Sequence, residues 1–262
     1  MLPDEAAVAA QIKARHAPEI AAMDDLHDAV VAMFANQQLN VTKPRGVGPH
    51  SVMTVAGLLI KACKTYRCVQ ILLMRGLHDD ALALNRVLLE TTAAIVFILR
   101  KRSRERAYIY QAYNASQIVK ALNDWKTTPG LKRKASKKLH VAAVKAVADI
   151  AAHLPPGTNY RRHWSGLGNF REVMIAIREP VAYQTLYRTG SGAAHVSAFG
   201  SHGKVDPTTD EILWQLPPSP DHFTGGALVA RGLLWSAANA ADKKLGLGFE
   251  AELARHKPTP TP

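Results

Sequence analysis

Two polar groupings interrupt otherwise apolar sequence and have the residue types and spacing to do chemistry. The first is "YRTGSGAAHVS", which places Tyr187, Arg188, Ser191, His195 and Ser197 among Gly, Ala, Val and Thr. On a helix, the seven-residue step from Arg188 to His195 brings both to nearly one face, about two turns and ~10 Å apart. A guanidinium holds a phosphate bidentately, and an imidazole exchanges protons near neutral pH. Together they suit metal-free phosphodiester cleavage of RNA. His195 would act as general base or acid at the 2′-hydroxyl, and Arg188 would stabilise charge on the pentavalent phosphate. Tyr187 could stack or donate a hydrogen bond. The small residues at 189–194 let a substrate or another backbone approach closely. A competing reading makes His195 a hydrogen-bonded interhelical histidine and Arg188 a helix-terminal cation.

The second grouping is "RVLLE", which sets Arg86 and Glu90 four residues apart in the most hydrophobic segment of the chain. Burying a charge is costly unless it is paired, so these two are expected to bind each other or a third polar group. As structure they fix helix register. As function they stand behind Arg188 and His195, with Tyr187 and Ser191 in support. There is no phosphate-binding glycine loop, no dinucleotide-binding fingerprint and no H-E-x-x-H. "GSG" at 190–192 lacks the strand-to-helix order of a hydrolase nucleophile elbow. The eleven histidines are scattered without ligand spacing, so neither metal nor cofactor is expected.

The elements that must position these residues are helices. Ile20, Met23, Leu26, Val30, Val31 and Phe34 form a core-facing stripe. Helices are expected over 51–75, with Ser51 as N-cap, and over 80–102, apolar nearly all round and therefore central. Further helices are expected over 104–126, about 134–153 and 169–178, and from the Gly225–Gly226 pair to Leu245. A short β-hairpin is expected near 203–215. These elements make one all-α domain, 1–250, a bundle of seven to nine helices, with 251–262 a disordered Pro/Thr tail. Gly190 and Gly192 each cost a helix interior about 1 kcal/mol relative to alanine, which counts against a continuous helix through the first motif.

Composition narrows the partners. The net charge is +12, and residues 100–140 hold twelve basic against two acidic residues. "RKRSRER" and "LKRKASKK" thus place Arg100, Lys101, Arg102, Arg104, Arg106, Lys132, Arg133, Lys134, Lys137 and Lys138 in a field that favours polyanions such as RNA. The bland alternative is a solvated basic face. Two cysteines, Cys63 and Cys68, exclude a disulfide framework. The acidic N-terminal stretch resembles no secretory leader, so a cytoplasmic location is expected. Asn85, Arg86 and Glu90 argue against a membrane span through 81–99.

"LNRVLLETTAAIVFIL" and "YRTGSGAAHVS" together resemble an uncharacterised bacterial all-α family with R-x3-E in one helix and Y-R-x2-S-x3-H further on. Arg86, Glu90, Tyr187, Arg188, Ser191 and His195 match position by position. Separately, Arg188-x6-His195 is similar to the R-x4-6-H motif of the HEPN superfamily, helical proteins that include metal-independent ribonucleases of toxin–antitoxin and phage-defence systems. That resemblance implies a homodimeric endoribonuclease with Arg188 and His195 catalytic, with RNA as substrate and an antitoxin or defence partner. The alternative is a non-enzymatic helical module that binds RNA or a nucleotide through its basic face.

Overall fold

The structure, a computed structural model, describes residues 5–35, 47–127, 135–194, 203–205, 208–209, 212–214 and 219–258. Helices dominate it, as the 3.6-residue periodicity requires. In chain order they are α1 (Glu5–Arg15), α2 (Ala17–Ala35), α3 (Pro49–Met74), α4 (His78–Arg100), α5 (Ser103–Thr127), α6 (Ala135–Ala151), α7 (Phe170–Ala176) and α8 (Pro180–Ala182). A π-helical turn, Tyr183–Tyr187, leads directly into α9 (Arg188–Ala194). The expected hairpin forms from β1 (Gly203–Val205) and β2 (Ile212–Trp214), antiparallel with Lys204 opposite Leu213. Then come α10 (Phe223–Leu245) and α11 (Glu250–Arg255).

The central helix is α4, packed between α3 and α10, with α7 and α9 against its remaining faces. By length and apolarity α4 could cross a bilayer. Its apolar side chains instead build the core: Leu88, Ile95 and Ile98 are fully buried together with Leu59, Leu73 and Leu234. A smaller apolar cluster joins Leu89, Ala93 and Phe97 of α4 to Phe170, Val173 and Met174 of α7. Three polar groups inside the core find partners across helices. Tyr66 donates to the Met23 carbonyl at 3.1 Å, Gln70 donates to Asp24 at 3.0 Å, and Thr92 donates to the Leu233 carbonyl at 3.2 Å.

The turn from α3 to α4 is set by Gly76. Its φ of +75° and the bonds Leu77 N–H to Leu72 O and Gly76 N–H to Leu73 O close α3 in a left-handed C-terminal motif. A side chain there would also strike Ser219, whose carbonyl oxygen would lie 2.7 Å from the added Cβ. The start of the α10 segment is thereby laid across the α3–α4 corner.

Several boundaries differ from those read in the sequence. Gly48, not Ser51, caps α3, because Pro49 already fits the first helical position; Ser51 lies inside the first turn, fully buried. The N-terminal stretch forms α1, anchored by only two buried residues, Val8 and Ile12, too few to make a visible stripe. Gly225 and Gly226 fall within the first turns of α10 and do not precede it; Gly226 lets Leu73 approach. The tail expected from 251 is helical through Arg255. Leu253 is buried and its carbonyl accepts from Trp235 Nε1 at 2.7 Å, while Asp242 caps the preceding turn by accepting from Phe249 N–H at 2.9 Å. The expected all-α bundle is the fold found; among the described residues the 180–194 region divides at the π-turn, and α1 and α11 add short helices to it.

Candidate functional site

The motif "YRTGSGAA" is helical through both glycines, and α4 explains why. At Gly190 a Cβ would lie 2.8 Å from the Arg86 Cβ and 3.0 Å from the Leu82 carbonyl oxygen. The absent side chain is what lets α9 lie against α4, so the close approach expected of these small residues is to another backbone. The close approach brings Tyr187 over Arg86. The guanidinium stands 4.6 Å from the phenol ring centroid, and its Nη2 donates to the Tyr187 hydroxyl at 3.2 Å. Phe170 and Tyr183 complete the aromatic wall, with ring centroids 4.7 and 5.0 Å from that of Tyr187. The π-turn rotates Tyr183 and Tyr187 into this stacked arrangement, a local irregularity of the kind often found at functional sites.

Arg86 Nε lies 3.3 Å from Glu90 Oε1, so the expected ion pair forms. It is not fully buried: the Arg86 and Glu90 side chains keep 20% and 38% of their exposure. Burial still pushes the Glu90 carboxyl above the usual range, with Arg86 and Lys61 pulling it partly back. Ser191 donates to its own helix, to the Tyr187 carbonyl at 2.7 Å. Arg188 is exposed and donates to Gln184 at 3.3 Å. The structure thus joins Arg86, Glu90 and Tyr187 in one seam and sets Arg188 apart from it, on the solvent side of the same helix. His195 lies outside the described residues.

The basic run divides by role. Arg100 donates to the Ala176 carbonyl at 2.6 Å and so ties α4 to α7. Arg106 donates to the Phe97 carbonyl and lies over the Phe97 ring at 3.8 Å, where burial lowers its pKa. Arg106 thus closes the α4–α5 corner, and Arg100 the contact of α4 with α7. Lys101, Arg102 and Arg104 around that corner carry charge toward solvent, as do Lys137 and Lys138 on α6. Arg102 has a φ of +47°, a costly conformation for a residue with a side chain, and is loosely paired with Glu105 at 3.7 Å. Lys132, Arg133 and Lys134 lie outside the described residues.

Beside these cations the fold assembles something local spacing did not show. Tyr108 of α5, only 3% exposed, is flanked by His50 of α3 and by His153 just after α6, each ring centroid 4.8 Å from that of Tyr108. Gln111 donates to Thr54 at 2.6 Å and Thr54 to the His50 carbonyl at 2.7 Å, which holds the start of α3 against α5. Arg104 lies 5.8 Å from the Tyr108 centroid. Arg102, Arg104, Glu105, Tyr108, His153 and Pro155 line a cleft of about 430 Å³. Nothing in the local sequence marked either histidine. Among the described residues, no group of three or more His, Cys, Asp or Glu is placed to hold a metal ion.

No curated protein and no solved structure matches this chain. The profile of one family, described as a family of unknown function (DUF5677), matches residues 52–212. The matched span runs from α3 into β2 and takes in Arg86, Glu90, Tyr187, Arg188, Ser191 and His195, the positions on which the resemblance to an uncharacterised family was drawn. With more than half of its length covered, the chain belongs to DUF5677, a family of unknown function.

Proposed function

We propose that this protein binds RNA through the α4–α5 corner, and that the Arg86–Glu90–Tyr187 seam is structural. The observation that carries this reading is the cleft itself, where Arg102 and Arg104 stand beside the stacked rings of Tyr108 and His153, with His50 tilted against both. Cations supply attraction to phosphates, and ring faces accept bases of any sequence. The seam favours structure because the Arg86 guanidinium lies over the Tyr187 ring, donates to its hydroxyl and pairs with Glu90 at 3.3 Å, all within the α4–α9 contact. Titrating RNA binding against salt tests the proposal. A steep fall of log affinity with log salt is expected, and no retention of RNA at low salt would end it.

A second reading is a HEPN-like, metal-independent endoribonuclease of a toxin or phage-defence system, homodimeric, with Arg188 and His195 catalytic. The exposed position of Arg188, whose hydrogen bond among the described residues is to neutral Gln184, favours it, since that guanidinium can turn to a phosphate. Product analysis on total RNA with chelator decides it. Wild type should cut to 2′,3′-cyclic phosphate ends, His195→Ala should lose roughly 10²–10⁴-fold in rate, and Arg188→Lys should fail for want of a bidentate fork. Intact RNA with wild type, or equal cutting by His195→Ala, leaves binding alone.

A further inference from the structure

We infer that the α4–α5 corner takes single-stranded rather than duplex RNA, with one unstacked base on the outer face of His153 and the adjoining phosphates on Arg102 and Arg104. The inference rests on the RNA-binding reading above and adds to it the class of strand.

Two imidazoles pack on one phenol, His153 stacked on Tyr108 and His50 tilted against both rings. Tyr108 is buried, yet both of its flanking imidazoles are exposed. The His153 ring lies 23° from parallel to Tyr108, so the buried phenol backs one of its faces and leaves the other available. His153 N–H bonds the Ile150 carbonyl at 3.1 Å and Leu154 N–H bonds the Ala151 carbonyl at 3.0 Å, which sets the backbone that carries the ring at the end of α6.

Duplex RNA cannot use such a platform, because its bases are already stacked on both faces and only phosphates and minor-groove edges remain accessible. A single strand can splay one base onto it. The cleft volume of about 430 Å³ points the same way. It lies in the ~300–1,000 Å³ range of small-molecule sites, room for one nucleotide and far too little for a helix. Arg102 and Arg104 line the same cleft as His153, so phosphate and base contacts can be made by adjacent parts of one strand. Glu105 lines it too, and its 3.7 Å pairing with Arg102 offsets its repulsion of a phosphate. A surface read only through phosphates would need none of the rings.

The test is fluorescence anisotropy on the full chain, with a short unstructured RNA and a duplex of the same sequence, at one salt concentration. Wild type should prefer the single strand. His153→Ala should weaken single-strand binding roughly tenfold and leave duplex binding unchanged, since one base–ring stack is lost. His153→Phe should restore it, because the ring face and not the imidazole nitrogens makes the contact. Duplex binding as tight as single-strand binding, an equal effect of His153→Ala on both, or failure of His153→Phe to restore would each overturn the inference while leaving RNA binding in place. Failure of wild type to bind either RNA would sink the binding reading and this inference with it. Circular dichroism of the variants separates a lost contact from a lost fold.

Discussion

Replacing Gly190 by alanine should destabilise the protein, although alanine is the better helix former. The new Cβ would meet the Arg86 Cβ at 2.8 Å and the Leu82 carbonyl oxygen at 3.0 Å, both closer than side chains ordinarily tolerate. Neither neighbour is a flexible tip. Both belong to the stem of α4, which α3 and α10 hold in place, so α9 must shift away. Overpacking of this kind costs about 1–3 kcal/mol, and the gain in helix propensity returns about 1. A net loss of up to about 2 kcal/mol follows, a fall in Tm of up to roughly 8 °C for a chain of this size. Gly232 of α10 is the control, since an added Cβ there meets nothing within 4 Å. Gly232→Ala should therefore raise stability by about 1 kcal/mol through propensity alone. Both variants can be followed by denaturant unfolding under circular dichroism. If Gly190→Ala were as stabilising as Gly232→Ala, the close packing of α9 on α4 would be refuted, and with it the placement of Tyr187 over Arg86.

Tyr187→Phe keeps the ring over Arg86 but removes the 3.2 Å hydrogen bond, so a loss of about 0.5–1.5 kcal/mol is expected on denaturant unfolding, and no loss would mean that the bond is not made in solution. Because burial raises the folded-state pKa of Glu90, the native protein holds that proton more tightly than the unfolded chain. Its contribution to stability is thus largest at low pH and falls as pH climbs from the ordinary carboxylate value through the raised one, so wild type should lose ground to Glu90→Gln across that window; a gain would reverse the sign of the argument. Substituting Lys101, Arg102 and Arg104 together with Gln should flatten the slope of log affinity against log salt by up to about 2 with little effect on Tm. Arg100→Gln and Arg106→Gln should instead lower Tm, because both cations hold backbone carbonyls, and an equal loss of RNA affinity from all five positions would show that this division of roles is wrong.

What this sequence determined by itself was local. Helix positions followed from apolar spacing within single turns, as with Ile20, Met23 and Leu26 on α2. The centrality of α4 followed from its near-continuous apolarity, and the Arg86–Glu90 pair from a spacing of one helical turn. Each such feature is encoded within a few residues, where periodicity is visible. The tertiary structure decided whatever depends on how distant segments meet. Gly190 and Gly192 counted against a helix on propensity, yet α9 forms, because contact with α4 outweighs about 1 kcal/mol per glycine and at Gly190 requires the missing side chain. Arg188 has the motif's spacing, but the packing of Tyr187 on Arg86 turns it to solvent. In the basic run, ten cations looked alike in sequence. Only the meeting of α4, α5 and α7 assigned Arg100 and Arg106 to backbone carbonyls and left Lys101, Arg102 and Arg104 outward. His50, Tyr108 and His153 come from three helical segments far apart in the chain. Their meeting depends on the packing angles of α3, α5 and α6, for which no residue spacing stands as a signal.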